Sequence, residues 1–500
     1  DMNRRAVLSG ATTAALYGLA GCVDGPTAEA DGSANESDPA ATDPGGSDDP
    51  GGSEAEFWQP IGELPEFGAP TVVDFETASL TAAVVGRGRR TDDGFSVSLD
   101  FRSGATAASP ATLVATVANA KSFAQPLELR RLGLLDSPSL AQMTDGNRTT
   151  VYLAPTEGHP LAETVPTAER DADGRWRLAD LQDDWYPETV SVEAETGFVA
   201  EYHLLGHHLD DEPPIGPGRY RVGHEDSPAI VVWPTDEPGP DEPSALADRE
   251  PPGLPGEQST AWYHASTAST ERFLRPDAER VEPPARIGFA FVNRSRESIS
   301  GNPYYWRLYK RRGEEWFPIA PWEWVQPAAE LTPGDRSESE LGVYHDSAPA
   351  DADGRAVGSL GGGLYAYTGG FDTETEQYAA LIEVDAPAVE VEIEPAAEIV
   401  EEGSTTVVEL PNHAEARRPA TFSVTRADGE PDRELIPEQL PRRPFRGLRN
   451  ALPLFAEGVD SVRVQTDRGT TLQLAGYEEG TAVVIRYRDD TYRAVGTLDE

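Results

Sequence analysis

Between Phe57 and Thr235 the apolar residues fall in short alternating runs rather than helical stripes. "FSVSLDF" (95–101), "ATLVATVANA" (111–120), "LELRRLGLL" (127–135), "TVYLA" (150–154), "TVSVEA" (189–194), "FVAEYHLL" (198–205), "RYRV" (219–222) and "AIVVW" (229–233) are β-branched or aromatic. Gly, Pro, Asp or Asn separates each from the next, the punctuation of strands and turns. No helical stripe exceeds two turns, so 57–235 predicts an all-β sandwich domain. "DEPGPDEPSALADREPPGLPGE", Asp236 to Glu257, breaks the pattern with prolines and carboxylates and predicts an extended spacer.

The pattern then repeats over 258–393. "RIGFAFVNRS" (286–295) parallels "TLVATVANAK" (112–121), each a strand closing on an asparagine. "YYWRLYKRRGEEWFPI" (304–319) predicts a hairpin turning at Arg312-Gly313, with "DGRWRLADL" (173–181) as its earlier counterpart. "ELTPGDRSESELGVYH" (330–345) parallels 188–208, "GGLYAYTGGF" (362–371) parallels "GPGRYRV", and "QYAALIEV" (377–384) parallels "AIVVW". From about Glu394 the character changes. "TTVVEL" (405–410), "ATFSVTR" (420–426), "SVRVQTD", "TTLQLAG" and "AVVIRYRDDTYRAVG" predict strands, the last turning at Asp489-Asp490. "PFRGLRNALPLFAEG" (444–458) predicts a helix that Pro453 would limit. Residues 394–500 therefore read as a small α+β domain.

An asparagine ending a strand, a Tyr-x-Leu-Tyr strand, a "GEEW" turn, a Pro-Gly before a strand and a Gly-x-Tyr strand resemble the Ig-like domains of bacterial and archaeal surface proteins. The fold expected is mainly β: two tandem Ig-like β-sandwiches followed by a small α+β C-terminal domain. The resemblance implies adhesion, spacing or ligand contact, and it brings no catalytic residues.

Residues 3–22, "NRRAVLSGATTAALYGLAGC", place Arg4 and Arg5 before a weakly apolar run that ends in Leu19-Ala20-Gly21-Cys22. The run is too short and polar to stay in a bilayer as a helix. Residues 1–22 resemble a twin-arginine export signal closed by a lipobox, in which cleavage would leave Cys22 as the new N-terminus with lipid on its sulfur. Cys22 is the sole cysteine, so no disulfides are expected. Residues 23–56 contain no Lys or Arg and almost nothing apolar, and predict a disordered acidic tether. The expected location is the outer face of the cell membrane, with the bilayer as partner through the anchor.

The net charge is −46, from 87 Asp+Glu against 41 Lys+Arg, and only Lys121 and Lys310 are lysines. This balance resembles proteins of salt-loving archaea, where molar salt shrinks the screening length to about 3 Å. Nucleic acid is excluded as a partner by charge.

Candidate chemistry is sparse. His203, His207 and His208 with Asp210 and Asp211 are metal-ligand types, but the segment reads as a strand breaking at Gly206, which favours solvated loop histidines. Alternation puts Tyr305, Arg307 and Tyr309 on one face, and with Trp322 and Trp324 they form a candidate stacking patch for a glycan or another envelope protein. "DADGR" at 171–175 and 351–355 suits a turn better than a calcium loop, since no glutamate follows at the expected distance. Asn35, Asn147 and Asn293 lie in glycosylation sequons, with Asn293 also a candidate strand-end residue. No nucleophile elbow, zinc-protease motif, phosphate loop or dinucleotide fingerprint occurs, and no cofactor is expected. Binding or spacing is the favoured role. The competing roles are a secreted hydrolase with a loop-borne site and a solute receptor, which would need alternating strands and helices.

Overall fold

A computed structural model describes residues 57–500 apart from 133–138, 145–146, 183–184, 223–227, 323–324, 353, 374, 475–478 and 500. The export segment, Cys22, the tether and Asn35 lie outside the described residues. Strands make up 45% of the chain and helices 6%, so the molecule is mainly β, as the alternation predicts.

In the first unit one antiparallel ladder runs Val73–Phe75, Leu80–Val85, Ala229–Pro234, Gly218–Arg221, Ser139–Thr144, Asn147–Pro155, Thr196–Gly206, Ala111–Asn119, Phe95–Ser103 and Gly88–Arg90. Residues from both ends of this ladder, Phe75 and Ile230 as well as Leu99 and Phe198, share one core. The ladder therefore curls over itself. Strand Ala111–Asn119 is buried at every position, the signature of a strand covered on both faces.

The second unit is two facing sheets. Ser259–Trp262, Glu376–Val384, Gly363–Gly369, Trp306–Arg312 and Glu315–Ala320 form one; Arg272–Pro276, Ala285–Asn293, Arg336–Val343 and Arg355–Val357 form the other. Between them Phe289 stacks on Tyr367 at 3.8 Å, with Phe291, Tyr378 and Leu308 alongside.

The two units differ in how their strands join into sheets, but they share several side-chain ties. Asn119 and Asn293 each end the middle strand of a three-strand group and are 0% exposed. The Nδ2 of Asn119 donates to the carbonyls of Phe123, Val192 and Glu193. That of Asn293 donates to Glu297 and Leu331. Val192 and Leu331 occupy the same place, the end of a short strand paired with Gln125–Glu128 or Ile299–Gly301. Tyr220 and Tyr365 each donate their hydroxyl to the carbonyl of the glycine four residues earlier, Gly216 at 2.9 Å and Gly361 at 2.6 Å. The hairpin pairing differs from the sequence expectation. Ser139–Thr144 borders Gly218–Arg221 as Trp306–Arg312 borders Gly363–Gly369, so the counterpart of the later hairpin is 139–155. Trp176–Leu178 instead pairs with Ala168–Arg170 and meets the main ladder only at Arg177 and Gly206.

Several local expectations are also corrected. "LELRRLGLL" becomes strand Gln125–Glu128 and a 3-10 turn Leu129–Leu132. The expected spacer 236–257 packs: Leu246 and Leu254 are buried with Tyr309, Trp316 and Leu381. In the last unit seven strands form one sheet. The predicted helix 444–458 shrinks to Arg446–Arg449 between 3-10 turns Arg443–Phe445 and Leu452–Leu454, because Pro444 and Pro453 each remove an amide donor. "TTLQLAG" starts in helix Arg468–Leu472, capped by Asp467 accepting from the Thr470 amide at 2.8 Å. The final hairpin turns at Arg488-Asp489, where Arg488 takes φ 57°.

Adjacent units pack closely. Gly334, at φ 78°, turns over Trp233 and Val231, and a methyl there would lie 3.1 Å from the indole. Arg294 donates to the Pro238 and Gly239 carbonyls and pairs with Asp241. Farther on, Ile436 enters the second core, Gln439 donates to the Pro318 carbonyl at 3.1 Å, and Lys310 pairs with Glu438.

Candidate functional site

Strand Trp306–Arg312 separates its residues as alternation requires. Trp306 and Leu308 join the sandwich core, while Tyr305, Arg307 and Tyr309 face outward. What alternation cannot show is the cover. The 236–257 segment lies across this outer face, and the Trp316 indole N–H donates to the Pro252 carbonyl at 2.9 Å. Tyr309 is left 2% exposed, which removes it from any stacking platform.

Past the cover's edge the same face becomes polar. The Arg307 guanidinium lies 5.8 Å from the centre of the Tyr305 ring and donates to the Tyr309 hydroxyl at 3.3 Å. Thr368, directly across from Arg307, is 0% exposed. Asp372 closes the group, and its Oδ1 is buried without a hydrogen-bond partner among the described residues. Burial lifts the Asp372 carboxyl to about 7, against the pull of a Tyr378 backbone hydrogen bond and the Arg307 charge. Burial likewise pushes the Tyr305 phenol up to about 12. The arrangement is a proton-holding cluster at the margin of a covered sheet. Sequence reasoning missed Asp372 and Thr368, because nothing in "TGGFD" distinguishes this aspartate from 86 other carboxylates.

The remaining candidates do not gather here. Trp322 is 40% exposed and sets its edge against Phe445 of the last unit at 5.3 Å. Trp324 lies outside the described residues. His203 sits within strand Thr196–Gly206, opposite Thr112 and Ala154. His207 and His208 stack on each other at 4.3 Å beyond that strand's end, with Tyr152 beside both. Burial lowers the pKa of His203 and of His207. Among the described residues no three His, Cys, Asp or Glu side chains are placed to hold a metal. Asp171 of the first "DADGR" spends its carboxylate on the amides of Asp173 and Arg175, at 3.0 and 2.8 Å. Asp353 of the second copy is outside the described residues. Asn147 opens strand Asn147–Pro155, and its side chain is likewise outside them. Asn293 is corrected as a glycosylation candidate: its amide nitrogen is buried and twice bonded, so the folded chain offers no acceptor there.

No protein-family model matches this chain, and no curated protein matches it. Among solved structures, the chain is similar to a polysaccharide lyase at 7% identity, over 60% of this chain and 35% of that one, with a TM-score of 0.13. A GH2 beta-galacturonidase from Eisenbergiella tayi bound to glycerol matches at 10% identity over 59% and 37%, with a TM-score of 0.11. The native conformation of E. coli alpha-2-macroglobulin matches at 9% identity over 84% and 25%, with a TM-score of 0.13. The chain spans 35% and 37% of the length of the first two. Superpositions this poor carry neither a fold assignment nor an activity.

Proposed function

We propose that this chain is an envelope-displayed lipoprotein of a halophile, exported by the twin-arginine route, held at Cys22 and acting as a spacer or binding module without catalysis. Its body is read as two tandem Ig-like sandwiches and a small α+β domain. The repeated asparagine and tyrosine ties support the tandem reading. The observation that carries the role is the packing at both junctions. Segment 236–257 is fastened across a sheet, and Lys310 with Glu438 clamps the last unit, so the body is braced rather than strung on loose linkers. Burial of Tyr309 weighs for spacing over a flat glycan platform. A helix content of 6% stands far from the α/β lobes of a solute receptor.

Mass spectrometry of native protein from envelopes kept in molar salt tests the reading. A mature chain starting at an acylated Cys22 is the expected result. A retained leader, or a bare Cys22 thiol, overturns it.

A further inference from the structure

A cavity of about 560 Å³ opens where the second and last units meet, within the range of small-molecule sites, which favour such junctions. Its wall draws on the loop after strand Arg336–Val343, the loop after Arg355–Val357, the connector 385–393 and the turn leading to helix Arg446–Arg449. The wall is polar, and its charges are ordered. Arg442 is half-buried and donates only to backbone: Nε to the Glu438 carbonyl at 3.1 Å and Nη2 to the Gly358 carbonyl at 2.5 Å. The carboxylate of Glu438 is engaged by Lys310. Arg449, also half-buried, donates Nε to the Glu392 carbonyl at 2.8 Å. Neither guanidinium has a carboxylate within ion-pair distance among the described residues, in a chain with 87 acidic side chains against 41 basic ones. Asp346, Glu390 and Glu392 line the same cavity but are exposed, so the acidic groups are at its mouth. The His345 Nδ1 lies 3.1 Å from the Leu360 carbonyl, which makes it the N–H donor and leaves Nε2 as an acceptor. Ser347 and Ser359 add hydroxyls.

We propose that this cavity binds a small zwitterion of amino-acid size, its carboxylate on Arg442 and Arg449 and its ammonium toward Asp346, Glu390 and Glu392. A guanidinium bonded only to carbonyls and set behind exposed carboxylates favours an anionic group that carries its own cation, because the mouth offers that cation direct partners. Short, charge-assisted contacts at each end survive molar salt, since they act within the screening length. Burial also draws the Arg442 guanidinium down to about 10, which an incoming carboxylate would reverse. The inference holds wherever the chain resides, so its failure leaves the envelope reading intact.

Calorimetry of the full chain in molar KCl tests it, with 6-aminohexanoate as zwitterion and with acetate and n-butylamine as its separated halves. Saturable binding of 6-aminohexanoate is expected, at least tenfold tighter than either half, together with a rise in melting temperature. Arg442→Gln should weaken it at least tenfold. Arg449→Gln, the less deeply bonded of the two, should weaken it several-fold while the free protein still unfolds in one cooperative transition. Absence of saturable 6-aminohexanoate binding, equal binding of acetate, or unaltered affinity in Arg449→Gln overturns the proposal.

Discussion

Asp372 holds a carboxyl group where ionisation is costly, and the sign of the effect follows directly. Its folded-state value, about 7, lies above the ordinary aspartate value of 3.8. The folded chain therefore binds the proton more tightly than the unfolded chain. The ionised form burdens the fold fully above about pH 7 and not at all below about pH 4. Asp372→Asn should accordingly raise stability at pH 8 by about 1–2 kcal/mol, an effect that fades as pH falls to 4, in urea melts across that range. A pH-independent change would show the side chain to be solvated. The asparagines argue the other way. Val-x-Asn and Val-Asn are plain in the sequence, and their equivalence was legible there, but the bonds from Asn119 to Val192 and from Asn293 to Leu331 join residues far apart in the chain. Spacing along a strand gives a residue's face; it does not give its distant partner.

Segment 236–257 shows the same divide among elements. Its prolines and carboxylates predict an extended backbone, but the segment bends and turns over 244–249, and two leucines in twenty-two residues carry no period. Yet Leu246 and Leu254 meet Tyr309, Trp316 and Trp262, a patch of sheet that could not stay bare in water. Leu246→Ala with Leu254→Ala should cost about 3–5 kcal/mol and open 236–257 to a salt-tolerant protease while the flanking strands resist. Uniform resistance of the double variant would mean that the strap is held by its polar ties alone, among them Arg294 with Asp241, Arg249 with Glu383 and Trp316 with Pro252. The short strands were legible because period two needs only a handful of residues. The piece at 444–458 was not, because leucines near helical spacing compete with two prolines and only the packed chain shows that the prolines win. "TTLQLAG" carries β-branched threonines that suit a strand, and the Asp467 cap just before it overrides them.

Across the whole molecule the junctions matter most. Lys310 and Glu438 have side chains 13% and 5% exposed, so each neutralises a charge the other could not afford to bury alone. Lys310→Met should lower stability by about 3 kcal/mol, and Lys310→Met with Glu438→Leu should recover most of it, measured by chemical denaturation in constant molar salt. A loss under about 1 kcal/mol in the single variant would class the pair with ordinary surface bridges. The strand-rich class could be read from the sequence. The braced junctions could not, because a salt bridge between residues 310 and 438 has no local signature. Gly361 draws these threads together. It accepts the Tyr365 hydroxyl inside the second unit, and a side chain added to it would come within 2.7 Å of the Glu438 carboxylate. One small residue thus serves the hinge-pin of its own sandwich and the docking slot of the next. Transplanting either piece singly into another chain would strand a lysine or a glutamate in a dry seam.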